Sequence, residues 1–205
     1  MGITFLLCWI APCAEGRPRE IGEAAISQGR EEDVRTQPGH PIVLTPARSH
    51  PVVGERLSFQ GRWLGIPVGS VWIEVKGIVE MAGRRAYAIE AEGRSNELLS
   101  RFYPIHDVVR SYLDVDTLQP LRFEKYQREG HYRAEEVVTF DYATLLATYT
   151  SLLNQSVKEI PIPADVQDMI GAFYWLRRHA AQPHATLTLN IYSDEKVFHT
   201  EMQLL

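Results

Sequence analysis

The sequence predicts a mainly β protein: a curved antiparallel sheet or open half-barrel with one amphipathic helix packed on it. Three observations carry this. Apolar and polar residues alternate with period two in run after run from Glu55 onward, turn-forming Gly and Pro residues separate the runs, and only one stretch keeps convincing helical spacing.

Taken in order, the chain opens on an apolar run, "ITFLLCWIAPCA" (3–14), of the length of a signal-peptide core and too short to cross a bilayer as a helix. Residues 1–14 are therefore expected to be an export signal, although no basic residue precedes the run. The alternative at this point is lipidation of Cys13, since "IAPC" resembles a lipoprotein box with Pro12 where a small residue is usual. Residues 15–50 follow, rich in charge, Gly and Pro, and too poor in apolar side chains to offset the entropy of ordering. They read as a disordered tether, so the β-rich domain is expected over 51–205.

Within that domain "ERLSFQGRW" puts Leu57, Phe59 and Trp63 on one face, and "VWIEVKGIVEM" does the same for Val71, Ile73, Val75, Val79 and Met81. Between them "GRWLGIPVGS" spaces Gly61, Gly65 and Gly69. A phosphate loop would need a helix after the glycines, and a membrane-helix dimer face would tolerate neither Arg62 nor Pro67. The glycines are expected to reverse and bend a sheet. "MAGRR" then turns the chain into "AYAIEAE", with Tyr87, Ile89 and Ala91 sharing a face. "NELLSRFY" fits a short helix or a strand. "VVRSYLDV", "LRFEKYQREGHYRAEEVVTFDY" and "LLATYT" read as further strands, with a hairpin turn at Glu129-Gly130. In "ADVQDMIGAFYWLRRHAA", Val166, Met169, Ile170, Phe173, Leu176 and Ala180 keep helical spacing, with Asp165 placed to cap the helix. "ATLTLNIY" and "KVFHTEMQLL" close the chain as two strands about the turn "SDE".

Composition narrows function by exclusion. The 205 residues carry 45% hydrophobic and 23% charged residues with a formal net charge of -5, so the basic surface that nucleic-acid binding needs is missing. Both cysteines, Cys8 and Cys13, lie in the apolar leader. That leaves the domain no cysteine for a disulfide, a thiolate metal site or a nucleophile. No spacing of His and carboxylates marks a metal site, and no cofactor motif occurs.

Two constellations remain. "HDVVRSYLDVD" gathers His106, Asp107, Arg110, Ser111 and Asp114. Alternation puts Arg110 and Asp114 on one face and Ser111 on the other, so the cluster reads as structural rather than as a triad. The aromatics Trp63, Trp72, Tyr103, Phe123, Tyr126, Phe173, Tyr174 and Trp175 exceed what one face of a small sheet hides. They are the candidate lining of an apolar groove between sheet and helix. No catalytic residue is assigned.

Three blocks, "GERLSFQGRWLGIPVGSVWIEV", "SRFYPIHDVVRSYLDVDTLQPLRFEKYQREGHYRAEEVVTFD" and "DVQDMIGAFYWLR", resemble in order the bacterial exported domain-of-unknown-function family numbered 3108 (DUF3108). The resemblance spans nearly all of 54–205. It implies an exported periplasmic or envelope protein, an antiparallel sheet like that of lipid and lipoprotein carriers with the helix in its concavity, and no catalytic residues. Family members run on through more strands, so the domain is expected to be truncated after Leu205, within an alternating run. The function expected is non-enzymatic binding of an apolar small molecule, lipid, acyl chain or lipoprotein. The alternative is a structural or assembly factor that binds another envelope protein through a sheet edge. Neither nucleic acid nor a transmembrane span enters either reading.

Overall fold

The computed structural model describes residues 50–63, 65–179 and 186–203. The leader, the tether up to Ser49 and the last two residues lie outside them, so the readings of Cys13, of the tether and of the chain end do too. Strands β1 (Arg56–Trp63), β2 (Ile66–Met81), β3 (Arg84–Ser95), β4 (His106–Asp114), β5 (Pro120–Glu129), β6 (Tyr132–Asp141), β7 (Leu146–Ser151) and β8 (Val157–Pro161) follow one another. They form one eight-stranded sheet in sequence order, every neighbouring pair antiparallel, with β1 and β8 as its edges. The sheet is open. Helix α1 (Glu97–Ser100) interrupts the passage from β3 to β4, and α2 (Met169–His179) precedes a second, two-stranded sheet of β9 (Thr186–Ser193) and β10 (Lys196–Gln203).

Turn chemistry sets these reversals. Ala82 and Gly83 both take left-handed φ, 50° and 74°, as a two-residue hairpin turn requires. Gly65 (φ 80°) does the same between β1 and β2. Gly69 serves a different end: a methyl there would collide with the carbonyl oxygen of Arg94 on β3. Beside it the register of β1 on β2 slips between Gly61 and Arg62. The spaced glycines thus mark a turn and a bulge, as the sequence predicts.

A second slip, between Val75 and Gly77, has a consequence the alternation does not show. It exchanges the two faces of β2, so Ile78 rather than Gly77 lies opposite Tyr87, and Val79 no longer shares the face of Val75. The "NELLSRFY" ambiguity resolves as the four-residue helix α1, capped by the Asn96 side chain accepting from the Leu99 N–H at 2.9 Å. β8 was not expected; its Val157, Lys158 and Glu159 are exposed, as suits a short charged edge strand.

One face of the sheet holds the core. Val75, Ile89, Ser111, Phe123, Val138 and Tyr149 lie in one cross-strand row, and Leu57, Ile73, Ala91, Val109, Lys125 and Glu136 in the next. Ile162, Val166, Ile170, Tyr174 and Tyr192 descend onto that face to complete one apolar cluster. Helix α2 is covered on a second side as well. Ala172 and Trp175 pack with Leu189, Ile191 and Met202 of the β9–β10 hairpin. The helix therefore lies between two sheets, with its last turn tied to the start of β1 by a two-pronged ion pair from Arg177 to Glu55, at 2.7 and 2.9 Å.

The tip of the β9–β10 hairpin is also fastened. Asp194 and Glu195 both adopt left-handed φ, 47° and 62°, in a turn type that favours Asn-Gly. Their carboxylates meet Lys125 and Lys158 of the large sheet. Strained backbone persists where surrounding contacts over-determine it, and these two ion pairs are such contacts.

Candidate functional site

Strand alternation divides the polar cluster of β4. His106 and Arg110 point to the outer face, where His106 meets Glu92 at 2.7 Å and Arg110 donates to Glu90 at 2.8 Å and lies over the Tyr126 ring. Asp114 closes the β4–β5 turn, accepting from the backbone of Asp116 and Thr117 and pairing with Arg84 at 2.9 Å. Asp107 and Ser111 point inward and are fully buried.

The Ser111 hydroxyl donates to Asp168 Oδ2 at 2.5 Å, while Asp168 Oδ1 accepts from the Gly171 N–H at 2.6 Å. Asp168, not Asp165, is thus the cap of α2; Asp165 accepts instead from Asn190 on β9. Ser111 is held by a buried carboxylate that also caps α2, and His106 lies on the opposite face of β4. The pair anchors the helix to the sheet.

Complete burial pushes the Asp168 carboxyl up to about 6, although the Gly171 N–H and the Ser111 hydroxyl both favour its charged form. A carboxyl raised above its unfolded value stabilises the fold fully below about pH 4, and that contribution is lost as pH rises through about 6. Asp168→Asn keeps one acceptor for the cap without a charge to bury. Its unfolding midpoint at pH 7 is expected to lie above the parent's, by on the order of 1–2 kcal/mol, with the gap closing toward pH 4. Urea titrations at the two pH values check this; a gap that widens on acidification contradicts it.

The eight aromatics singled out from the sequence do not share one cavity. Phe123 and Tyr174 are buried in the main core. Phe173 packs edge-on against Phe59 of β1, and Trp175 lies against the hairpin, stacked on His179 at 4.0 Å between ring centroids. Trp72 and Tyr126, paired with Glu92 and Glu135, belong to the charged outer face. Tyr103 covers Gly130 at the β5–β6 turn. Trp63 stands apart from all of these, at the β1–β2 turn.

That turn is one corner of an exposed apolar patch. Trp63 (69% exposed) is the cross-strand partner of Ile66 (53%), while Leu98 (58%) lies in α1 and Phe102 (82%) just past its end. The two parts are joined, because the Asn96 amide donates to the Pro67 carbonyl at 2.6 Å and the Asn96 N–H to the Val68 carbonyl at 2.9 Å. Four large apolar side chains held so open are unusual on one end of a sheet; single exposed hydrophobics need no explanation, but a group does.

The inner face near this end carries polar residues that the sequence reading did not single out. Lys125, 4% exposed, donates to Asp194 at 2.6 Å and to Glu136 at 2.9 Å. Burial pulls its ammonium down, but the two carboxylates outweigh this and hold it above the usual lysine range. Gln127 lies two residues along the same face, donating to Glu129 at 3.3 Å. The signal was present in β5, since Lys125 and Gln127 share the parity of Phe123 and so must point inward with it.

A groove of about 520 Å³ lies on the outer side, bordered by Arg84, Tyr112, Arg122, Glu124 and Tyr142, and none of the eight aromatics lines it. Among the described residues no group of three or more His, Cys, Asp or Glu side chains is placed to hold a metal ion, and no helix is long and apolar enough to cross a membrane.

The family model described as "Protein of unknown function (DUF3108)" covers residues 58–204. No curated protein and no solved structure matches.

Proposed function

We propose, from the premise that this chain belongs to the DUF3108 family, that it is an exported, non-enzymatic binding protein of the cell envelope that takes an apolar chain at the open end of its sheet. The observation that carries this reading is the patch of Trp63, Ile66, Leu98 and Phe102. Trp63 and Ile66 are cross-strand partners beyond Gly61 and Gly69, so an acyl chain laid across them meets backbone rather than bulky side chains. Apolar contact alone, at about 25 cal/mol per Å² removed from water, supplies measurable affinity.

The sheet–helix interface is the weaker location, because Tyr174, Ile170 and Phe123 already fill it. A second reading, docking of another envelope protein along a strand edge, draws on β10, which pairs only with β9 among the described residues.

A fluorescent fatty-acid probe titrated into the protein tests the first reading. Trp63→Ala and Phe102→Ala are each expected to weaken probe binding on the order of tenfold while leaving the unfolding midpoint unchanged, since both side chains are exposed. Equal probe binding by the parent and both variants overturns the site.

A further inference from the structure

The outer groove lies at the other end of the sheet from the apolar patch. Trp63 and Ile66 flank the β1–β2 turn and α1 joins β3 to β4, whereas the groove, about 520 Å³ in volume, lies where β2, β4 and β6 end. The β2–β3 turn walls it on one side with Met81 and Ala82, and the residues after β6 wall it on the other with Tyr142 and Ala143. The Tyr142 side is fixed by its hydroxyl, which donates to the Pro120 carbonyl at 2.9 Å. Tyr112 of β4 and Arg122 of β5, cross-strand partners, lie between the walls. The register slips beside that pair, which makes Leu121 the extra residue of a bulge, and a bulge re-aims the side chains around it.

Two guanidinium groups border the groove, each held through its Nε by a carboxylate. Arg84 pairs with Asp114 at 2.9 Å, and Arg122 donates to Glu124 at 2.7 Å. The carboxylates are themselves fixed, Asp114 by the N–H groups of Asp116 and Thr117, Glu124 by burial and by Arg110 at 3.8 Å. A guanidinium carries five donors in a rigid fork, so contact through Nε leaves its terminal amino groups for a second acceptor. Among the described residues neither Arg84 nor Arg122 spends a terminal amino group on a hydrogen bond. Donors held in place before a ligand arrives lose little freedom when it binds.

The rest of the lining limits what fits. Glu124 and Asp141 border the groove too, so a ligand with a second negative charge would meet them as like charges. Met81, Leu121 and the Tyr112 ring supply apolar surface, and the volume is that of a small-molecule site.

We propose that this groove binds a small organic monocarboxylate, its carboxylate received by the terminal amino groups of Arg84 and Arg122 and its apolar body lying against Met81, Leu121 and Tyr112. The site is separate from the patch at Trp63, and the proposal stands whatever that patch takes.

Cinnamate, its uncharged amide cinnamamide and inorganic phosphate are the probes, titrated calorimetrically at pH 7 into the full 205-residue chain. Cinnamate is expected to bind about tenfold more tightly than the amide, through charge-assisted bonds to the two arginines. Arg84→Lys and Arg122→Lys keep the charge facing Asp114 and Glu124 but lose the fork, so each is expected to weaken cinnamate about fivefold and to leave the amide unchanged. These side chains are 43% and 35% exposed, so both variants should fold. Trp63→Ala is expected to leave cinnamate binding as it is. Equal affinity for acid and amide, or no binding of cinnamate to the unaltered protein, overturns the site. Phosphate binding as tightly as cinnamate overturns the choice of a singly charged carboxylate. Cinnamate lost with Trp63→Ala and kept by both lysine variants also overturns the proposal, because it then sits on the apolar patch.

Discussion

Lys125→Met is expected to destabilise the protein by about 3 kcal/mol and to loosen the β9–β10 hairpin before the large sheet. The lysine is buried at the centre of β5, with Glu136 beside it on β6 and Asp194 reaching across from the hairpin turn. Removing one partner of a buried ion pair costs about 3–5 kcal/mol, chiefly because the other charge stays behind without compensation. Asp194 can turn to water, being 56% exposed, but Glu136 at 15% cannot. Methionine fills the lysine's volume, so the loss reports charge rather than a cavity. Denaturant unfolding gives the magnitude, and hydrogen exchange gives the order of opening. Exchange in β9 and β10 should accelerate most, because their turn then loses one of the two contacts that hold its left-handed residues. A change below 1 kcal/mol with unaltered exchange would show that the Lys125 contact does not hold the hairpin.

Tyr174→Ala is expected to cost about 3–5 kcal/mol, the range for truncating a large buried aromatic. Tyr174 is 1% exposed, meets Phe173 edge-on at 5.3 Å, lies under the Arg177 guanidinium at 5.4 Å, and donates its hydroxyl to Glu55 at 3.3 Å. Tyr174→Phe keeps the ring and loses one long hydrogen bond, so its cost should stay within about 1 kcal/mol. Near-equal losses for the two variants would mean that the hydroxyl, not the ring, joins α2 to the sheet. Tyr174 is thus set apart from Trp63 and Phe102: its removal should be read in stability, theirs in binding.

The meander was legible because its signal is local. Period-two alternation in "AYAIEAE" and the turn residues Ala82-Gly83 depend on near neighbours only, and the structure keeps both. The register slips were legible only in part. Gly61 and Gly69 announce one, whereas nothing local distinguishes Gly77 from an ordinary weak strand residue, and the exchange of faces after Val75 follows from pairing with β3.

The cap of α2 was misplaced for the same reason. Asp165 and Asp168 are equally suited by type, and the choice is made by tertiary contacts: Gln167 bridges to Ile191, Asn190 takes Asp165, and Ser111 waits for Asp168. The aromatic excess suggests a groove only while α2 is given a single core face. Counting α2 as covered on two sides places Phe173, Tyr174 and Trp175 against β1, the large sheet and the hairpin, in step with the 100° rotation between successive helical residues. What alternation contained but did not advertise was the inward parity of Asp107 and Lys125, which becomes visible only once Val109 and Phe123 are known to face the core.

The central claim is that the open end of the sheet holds an amphiphile, and native mass spectrometry of the protein recovered from its own cells tests it most directly. Gentle ionisation should show the chain with a bound small molecule of lipid mass, released on activation and absent from Trp63→Ala and Phe102→Ala prepared in the same way. The bare chain in every preparation, or a stoichiometric protein partner retained equally by parent and variants, would contradict the claim and favour docking through a strand edge.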